Sequence, residues 1–369
     1  MSSLTETASL VKRVGVFGVI GIVTIAVLVI SLVAGISIKN KYFPSKAKAV
    51  VLSQFGQLPK INFLSKNSFD EGKINFQIET VSGDLGTLSE HEKVFKLVVQ
   101  TPAILALENA KLTAEKMGFV SEPQILEGSV YQWIDDASGK TLTYNVVTKN
   151  FNIESDRIFS PEYISTTPPG NEEAIRIAKN WLSVNDLYKK DFEENKTSTT
   201  PIKVEVTQLK KAQSLSEANY VQVSFRRKNI NELPIVEAAE NGLVSLLITG
   251  NRGKESVAQV NYRYNQVDAD SFSFYPLKTS EEAFTQLKMG EGKVVSSPIV
   301  SGTVFIRKVY LAYYLSDFDE EYLQPVVVFD SLDGFLAVVA AIKDDQFIPE
   351  SQNNSAKPKP SGVQLEKTE

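Results

Sequence analysis

At 369 residues the chain is long enough for two modest domains or one elaborated one, and 43% hydrophobic with 22% charged residues is the make-up of a globular protein able to bury a core. It has no cysteine, which excludes disulfides, thiolate metal sites and cysteine nucleophiles together. The net charge of −5 divides unevenly: residues 1–48 carry Lys12, Arg13, Lys39, Lys41, Lys46 and Lys48 against Glu6 alone, so the remainder stands at −10 and lacks the overall basic footprint that nucleic-acid binding needs.

In chain order, residues 1–13 read as a short cytoplasmic tail. Val14 to Ile38, "VGVFGVIGIVTIAVLVISLVAGISI", hold 25 residues without a charge. As a helix they would extend roughly 37 Å against a hydrocarbon core of ~30 Å, which predicts a single tilted transmembrane helix held in the lipid bilayer. The alternative is a cleaved signal peptide ending near Val33-Ala34-Gly35, but its apolar region would be far longer than the roughly 7–15 residues such peptides use. Two positive charges precede the segment and four follow it, so the positive-inside count alone puts the body in the cytoplasm. A cysteine-free body argues the other way.

Residues 39–52, "KNKYFPSKAKAVVL", form a juxtamembrane linker whose lysines suit anionic headgroups or plain solvent. A first α+β domain is expected over 53–165. In it "KINFQIETV" alternates Ile74, Phe76 and Ile78 toward one face, and "KVFKLVVQ" follows as a second strand. Thr101-Pro102 reads as a helix start, with Ile104, Leu107, Lys111, Ala114 and Met117 in one stripe and Gly118 as its close. "VYQWID" and "TLTYNVV" flank the turn Asp136–Lys140 as a hairpin.

"STTPPG", Ser165–Gly170, marks the domain boundary, and a second α+β domain is expected over 166–350. "NEEAIRIAKNWL" opens it as a helix capped by Asn171, with two glutamates in the first turn where the helix dipole favours them. Its core stripe is Ala174, Ile177, Ala178, Trp181 and Leu182. "IKVEV", "YVQVSF", "GLVSLLI" and "SVAQVNYRY" read as strands, with turns at Asn241-Gly242 and "GNRGK". Thr279 and Glu282 fit a capping box at the start of a third helix. "TVFIRKVYLAYYL" is a long strand, with Leu311, Tyr313 and Leu315 on one face and Tyr310, Ala312 and Tyr314 on the other. "YLQPVVVFDSLDGFLAVVAAI" is apolar on both faces around the turn Asp330–Gly334, which predicts two central strands with Pro325 at the entrance of the first. Residues 351–369 have the composition of a disordered tail.

"NEEAI" at 171, "SEEAF" at 280 and Thr101-Pro102 each open a helix that precedes strands. The expected fold class is therefore α+β: one N-terminal transmembrane helix, then repeated helix-plus-antiparallel-sheet units. Over residues 170–345 the phrases "SFRRKNINELPI", "GLVSLLITGNRGKESVAQVNYRY", "YPLKTSEEAFTQL", "VYLAYY" and "YLQPVVVFDSLDGFLAVVAAI" resemble the PepSY fold and, within it, the YycH/YycI-type extracytoplasmic regulators of the bacterial cell envelope. The resemblance implies a membrane-anchored body outside the cytoplasm, acting without catalysis or cofactor through contact with an envelope or membrane protein. It transfers no site residue.

Chemistry-bearing motifs are sparse. His91, the single histidine, lies between glutamates in "SEHEKVF" without a G-x-S-x-G phrase, and reads as an exposed loop residue. "DFDEE", Asp317–Glu321, offers oxygen ligands but lacks the glycine and spacing of a calcium loop; a wall-polymer hydrolase using Asp317 and Asp319 is the enzymatic alternative. "GNRGKES" has its glycines too close for a phosphate loop and reads as a hairpin turn. "FRRK", Phe225–Lys228, is either a grip for an anionic polymer or headgroup or a strand-end surface. Tyr310, Tyr313, Tyr314 and Tyr322 either line a saccharide or peptide groove or pack in the sheet. Ser31 and Gly35 form one small-residue pair of the kind that lets membrane helices associate. Catalytic, metal and cofactor residues are thus expected to be none, with binding residues unknown.

Overall fold

The computed structural model describes residues 52–63, 74–239, 241–297 and 301–349. Every described residue belongs to one compact unit, which spans Val51–Glu369. The expected tail 1–13, membrane helix 14–38, nearly all of the linker 39–52, the pair Ser31 and Gly35, and the tail 351–369 lie outside the described residues.

The elements begin with β1 (Ile74–Ile78), β2 (His91–Leu97) and α1 (Ala106–Lys116). A meander follows: β3 (Gln124–Glu127), β4 (Val130–Asp135), β5 (Lys140–Asn145) and β6 (Phe151–Ser155). After α2 (Pro161–Ile164) and α3 (Asn171–Val184) come β7 (Ser198–Glu205), β8 (Gln208–Lys211), β9 (Tyr220–Phe225), β10 (Ile235–Glu237), β11 (Val244–Ile248), β12 (Val257–Tyr262) and β13 (Val267–Pro276). The chain closes with α4 (Ser280–Lys288), β14 (Lys293–Ser296), β15 (Gly302–Ile306), β16 (Lys308–Leu315), β17 (Tyr322–Asp330) and β18 (Leu336–Ala340).

The expected series of helix-plus-sheet units is not what forms. The described chain is β-rich, and its strands merge into a nine-stranded sheet in the order β3-β4-β5-β6-β12-β11-β9-β7-β8, a seven-stranded sheet, and the parallel pair β1–β15. The physical reason lies in the edges. A four-stranded meander has two rows of unpaired backbone groups, and the inner edge strand β6 pairs with β12, through Ile153 with Val260 and Phe151 with Tyr262. Local periodicity reports each helix and strand, but carries no information on which edges join.

Membrane location is corrected as well. Among the described residues no helix is long and apolar enough to cross a membrane. The longest, α3, has 14 residues against the ~20 a span requires, and carries Glu172, Glu173, Arg176 and Lys179. The expectation of a single-pass protein with an extracytoplasmic body is accordingly withdrawn.

On the nine-stranded sheet, α1 and α3 pack against the same face. Ala110 and Ala114 of α1, with Ala174, Ala178 and Leu182 of α3, share one cluster with Trp133, Leu142, Phe151, Val223, Leu246 and Val260. Small residues at i and i+4 spacing let the helices lie close to the sheet. Helix α1 starts at Ala106, later than Thr101-Pro102 suggested, and leaves Ile104 fully exposed. Gly118 closes it at φ +98°, as expected of a glycine beyond a helix end. The capping box of α4 also forms: Thr279 Oγ1 accepts from the Glu282 N–H at 3.2 Å, and Glu282 Oε2 accepts from the Thr279 N–H at 2.8 Å.

In the seven-stranded sheet the order β10-β16-β17-β18-β14 continues through β2, which pairs with both β17 and β13. Strand β17 alternates between two cores. Val327 and Phe329 join Phe284, Phe335 and Val339 beneath α4, while Val326 and Val328 join Ala312, Tyr314 and Val338 on the other face. All four are fully buried, the two-sided burial that the apolar hairpin predicts. Pro325 is not at the entrance, because β17 begins at Tyr322. It falls where β17 changes neighbour, from β2 at Tyr322 and Leu323 to β18 at Val326, so its missing N–H interrupts no continuous ladder.

Candidate functional site

A cleft of about 490 Å³ opens over the β6–β12 joint, between the C-terminal end of α1 and the side of α3. The helix-facing surface of the sheet explains it. One row across the strands is aromatic: Tyr144 stacks on Phe151 at 5.7 Å between ring centres, and Phe151 on Tyr262 at 5.1 Å. The next row runs from Trp133 through Leu142 and Ile153 to Val260, aliphatic over the joint itself. The third begins with Lys140 beside Ser155. The cleft lies over the aliphatic part of the second row and the start of the third, where Ile153, Val257 and Val260 meet Lys140.

Ile153, Val257 and Val260 form the floor, with Phe119, Ile177 and Trp181 at the walls. The half-buried Trp181 is part of the stripe expected to face the core. That stripe divides: Ala174, Ala178 and Leu182 are buried, while Ile177 and Trp181 turn to the cleft. The rim is charged, with Lys116, Lys140, Arg176 and Lys254 against Asp135 and Glu255. Lys116 pairs with Asp186 at 2.7 Å and Arg176 with Glu173 at 2.5 Å, both at the surface.

Lys140 is different, since it is buried at 8% exposure. Its Nζ donates to the Lys254 carbonyl at 2.8 Å and lies 3.6 Å from Glu255 Oε2. The same Glu255 oxygen accepts the Tyr163 hydroxyl. Burial lowers the Lys140 pKa, with the Glu255 carboxylate opposing that shift. Lys254 Nζ sits near Gly118, at the end of α1 where helix carbonyls favour a cation. Asn185 donates from Nδ2 to the Trp181 carbonyl, but its buried Oδ1 has no partner.

No family model matches this chain, and no curated protein does. Among solved structures it is similar to an uncharacterized protein from Eubacterium rectale ATCC 33656. That match has 12% identity and a TM-score of 0.41, covering 74% of this chain and 90% of the other. A likeness that low bears on neither fold nor function.

The residues singled out in the sequence lie elsewhere, with one exception. "GNRGKES" joins β11 to β12 as the expected turn, but its Gly253–Ser256 segment also walls the cleft. His91 is half-buried at the start of β2, paired with Pro276, rather than exposed in a loop. The arginines of "FRRK" are committed internally: Arg226 to the buried Glu237 at 3.0 Å, and Arg227 to Asp191 at 2.7 Å. Tyr310 and Tyr314 face one core of the seven-stranded sheet and Tyr313 the other, while Tyr322 packs on Phe55 at 5.4 Å, so the four share no groove. Lys140, Lys254 and Trp181 were not singled out as a site. The alternation Lys140-x-Leu142-x-Tyr144 was the available signal, since it puts the lysine on the buried face.

"DFDEE" forms the turn between β16 and β17, and no group of three or more metal-ligating side chains occurs among the described residues. Its half-buried Glu320 accepts the Asn62 N–H at 3.2 Å, and burial pushes its carboxyl up to about 7. Because this pKa lies above the ordinary value of 4.5, the folded state holds the extra proton between those limits. Its contribution to stability is therefore complete at low pH and is lost as pH rises toward 7. Glu320→Gln should unfold about 1–2 kcal/mol later than the wild type at pH 8 and almost together with it at pH 5, read from denaturant midpoints. An equal difference at both pH values would contradict the raised pKa.

Proposed function

We propose that the chain is a non-enzymatic binding module whose ligand occupies the cleft between α1 and α3. The observation that carries this is the cleft itself: about 490 Å³, with an aliphatic floor, an aromatic wall and a few polar groups at the rim. That is the size and lining of a small-molecule pocket. The sequence resemblance to YycH/YycI-type regulators, which act by contact, supports binding over catalysis. Thermal unfolding against small carboxylates, phosphates, amines and alcohols tests it, since a ligand of the native state raises the midpoint. At least one class should raise it by a few degrees. Asn180→Trp, which fills the cleft from the exposed side of α3, should remove the shift. No shift with any class, or the same shift in Asn180→Trp, would contradict the reading.

A second reading, contact with a protein partner, rests on another surface. Strand β3 is an edge of the nine-stranded sheet, and all four of its residues are exposed, Ile125 and Leu126 included. An open edge with apolar side chains is a template for a partner strand. A photocrosslinker at position 125 should then trap one discrete protein in cells. Random or absent crosslinks would set this reading aside.

A further inference from the structure

Resting on the cleft as the binding site, we infer that its ligand is an amphipathic carboxylate, with the carboxylate on Lys140 and the apolar body along Trp181 and the Ile153–Val260 floor. The cations at the cleft come first. Of the four, Lys116 and Arg176 are held by Asp186 and Glu173 and Lys140 lies 3.6 Å from Glu255, which leaves Lys254 with no ion pair among the described residues and free to meet an anion.

Lys140 supplies the specific contact. An ammonium has three N–H groups to satisfy. One goes to the Lys254 carbonyl, and the Glu255 carboxylate forms an ion pair at 3.6 Å, longer than a hydrogen bond, through the oxygen that also accepts from Tyr163. The ammonium is thus buried and ion-paired but makes one hydrogen bond of its three, a state that an incoming carboxylate relieves through a charge-assisted hydrogen bond. The remainder of the ligand follows from the floor. Ile153, Val260 and Ile177 offer nothing to inorganic phosphate, and together with the Trp181 ring they bury hydrocarbon well.

The test titrates the full chain with octanoate, octan-1-ol, octylammonium and inorganic phosphate, following Trp181 emission. Trp181→Phe separates that signal from the buried Trp133. Octanoate should bind at least about tenfold more tightly than the alcohol or the amine, a difference of about 1.4 kcal/mol, and phosphate should give no saturable change. Lys140→Met should lose that advantage for octanoate and keep the alcohol's affinity. Lys254→Ala, at an exposed position, keeps the proposal falsifiable should Lys140→Met not fold, and should weaken octanoate about threefold with the thermal midpoint unchanged. Equal or tighter binding of the alcohol, the amine or phosphate would overturn the ligand class while leaving the cleft as a binding site. Octanoate affinity unchanged in both lysine variants would overturn the role of this cluster. No effect of any compound on Trp181 would remove the inference and the binding reading together.

Discussion

Val328→Asp removes the cooperative unfolding transition of the purified full chain. Val328 is fully buried in β17, directly opposite Tyr310 on β16 and Val338 on β18, and it packs with Val326, Ala312 and Tyr314. The substitution forfeits about 1.5–3 kcal/mol of apolar burial. It also places a carboxylate in a low-dielectric interior, which costs several kcal/mol more unless the acid is protonated. Against a total stability of roughly 5–15 kcal/mol, the sum is enough to abolish folding. Leu332→Asp is the matched control, because Leu332 is 77% exposed in the turn of the same hairpin. Circular dichroism melts should show a normal transition for Leu332→Asp and a lost or strongly lowered one for Val328→Asp. Two unchanged transitions would mean that the hairpin is not a core element.

The second large effect belongs to Gly292, just before β14. Its φ of +126° is a backbone conformation that residues with a Cβ rarely adopt. A Cβ at this position would also stand 2.4 Å from the Val338 carbonyl oxygen, within the strand that β14 pairs with. Backbone cannot rotate away as a side chain can, so Gly292→Ala must push β14 off β18. A loss of about 3 kcal/mol or more is expected, combining strain with broken pairing. Gly56→Ala isolates the strain: Gly56 has φ +71°, but a Cβ there meets nothing within 4 Å. Urea midpoints should show Gly292→Ala losing at least twice as much as Gly56→Ala. Equal losses would remove the close approach from the account.

How legible the fold was depends on the range of the interaction. The capping box of α4, the glycine that closes α1 and the two-faced burial of β17 are local or periodic features, and residues a few positions apart state them directly. The pairing of β6 with β12 joins residues more than a hundred positions apart, and no pattern within either strand specifies its partner. Extrapolating from three helix starts to three separate units therefore failed, although the helices at 171 and 280 form where they were expected.

The cleft was hidden for a related reason. Each lining residue has an ordinary local explanation: Trp181 in a helix stripe, Lys140 beside a hairpin turn, Lys254 in a turn of its own. Only the tertiary arrangement, with α1 and α3 spanning one face of the nine-stranded sheet, makes them neighbours. The more conspicuous "FRRK" spends both arginines on internal ion pairs, so charge density in the sequence pointed away from the site.

The central claim is that the α1–α3 cleft takes a carboxylate on Lys140. A crystal structure of the chain grown with octanoate tests it most directly. The predicted result is density in the cleft, with the carboxylate within hydrogen-bond distance of Lys140 Nζ and the hydrocarbon lying against Trp181 and Val260. Octanoate bound elsewhere, or a cleft empty of ligand at saturating octanoate, would contradict it.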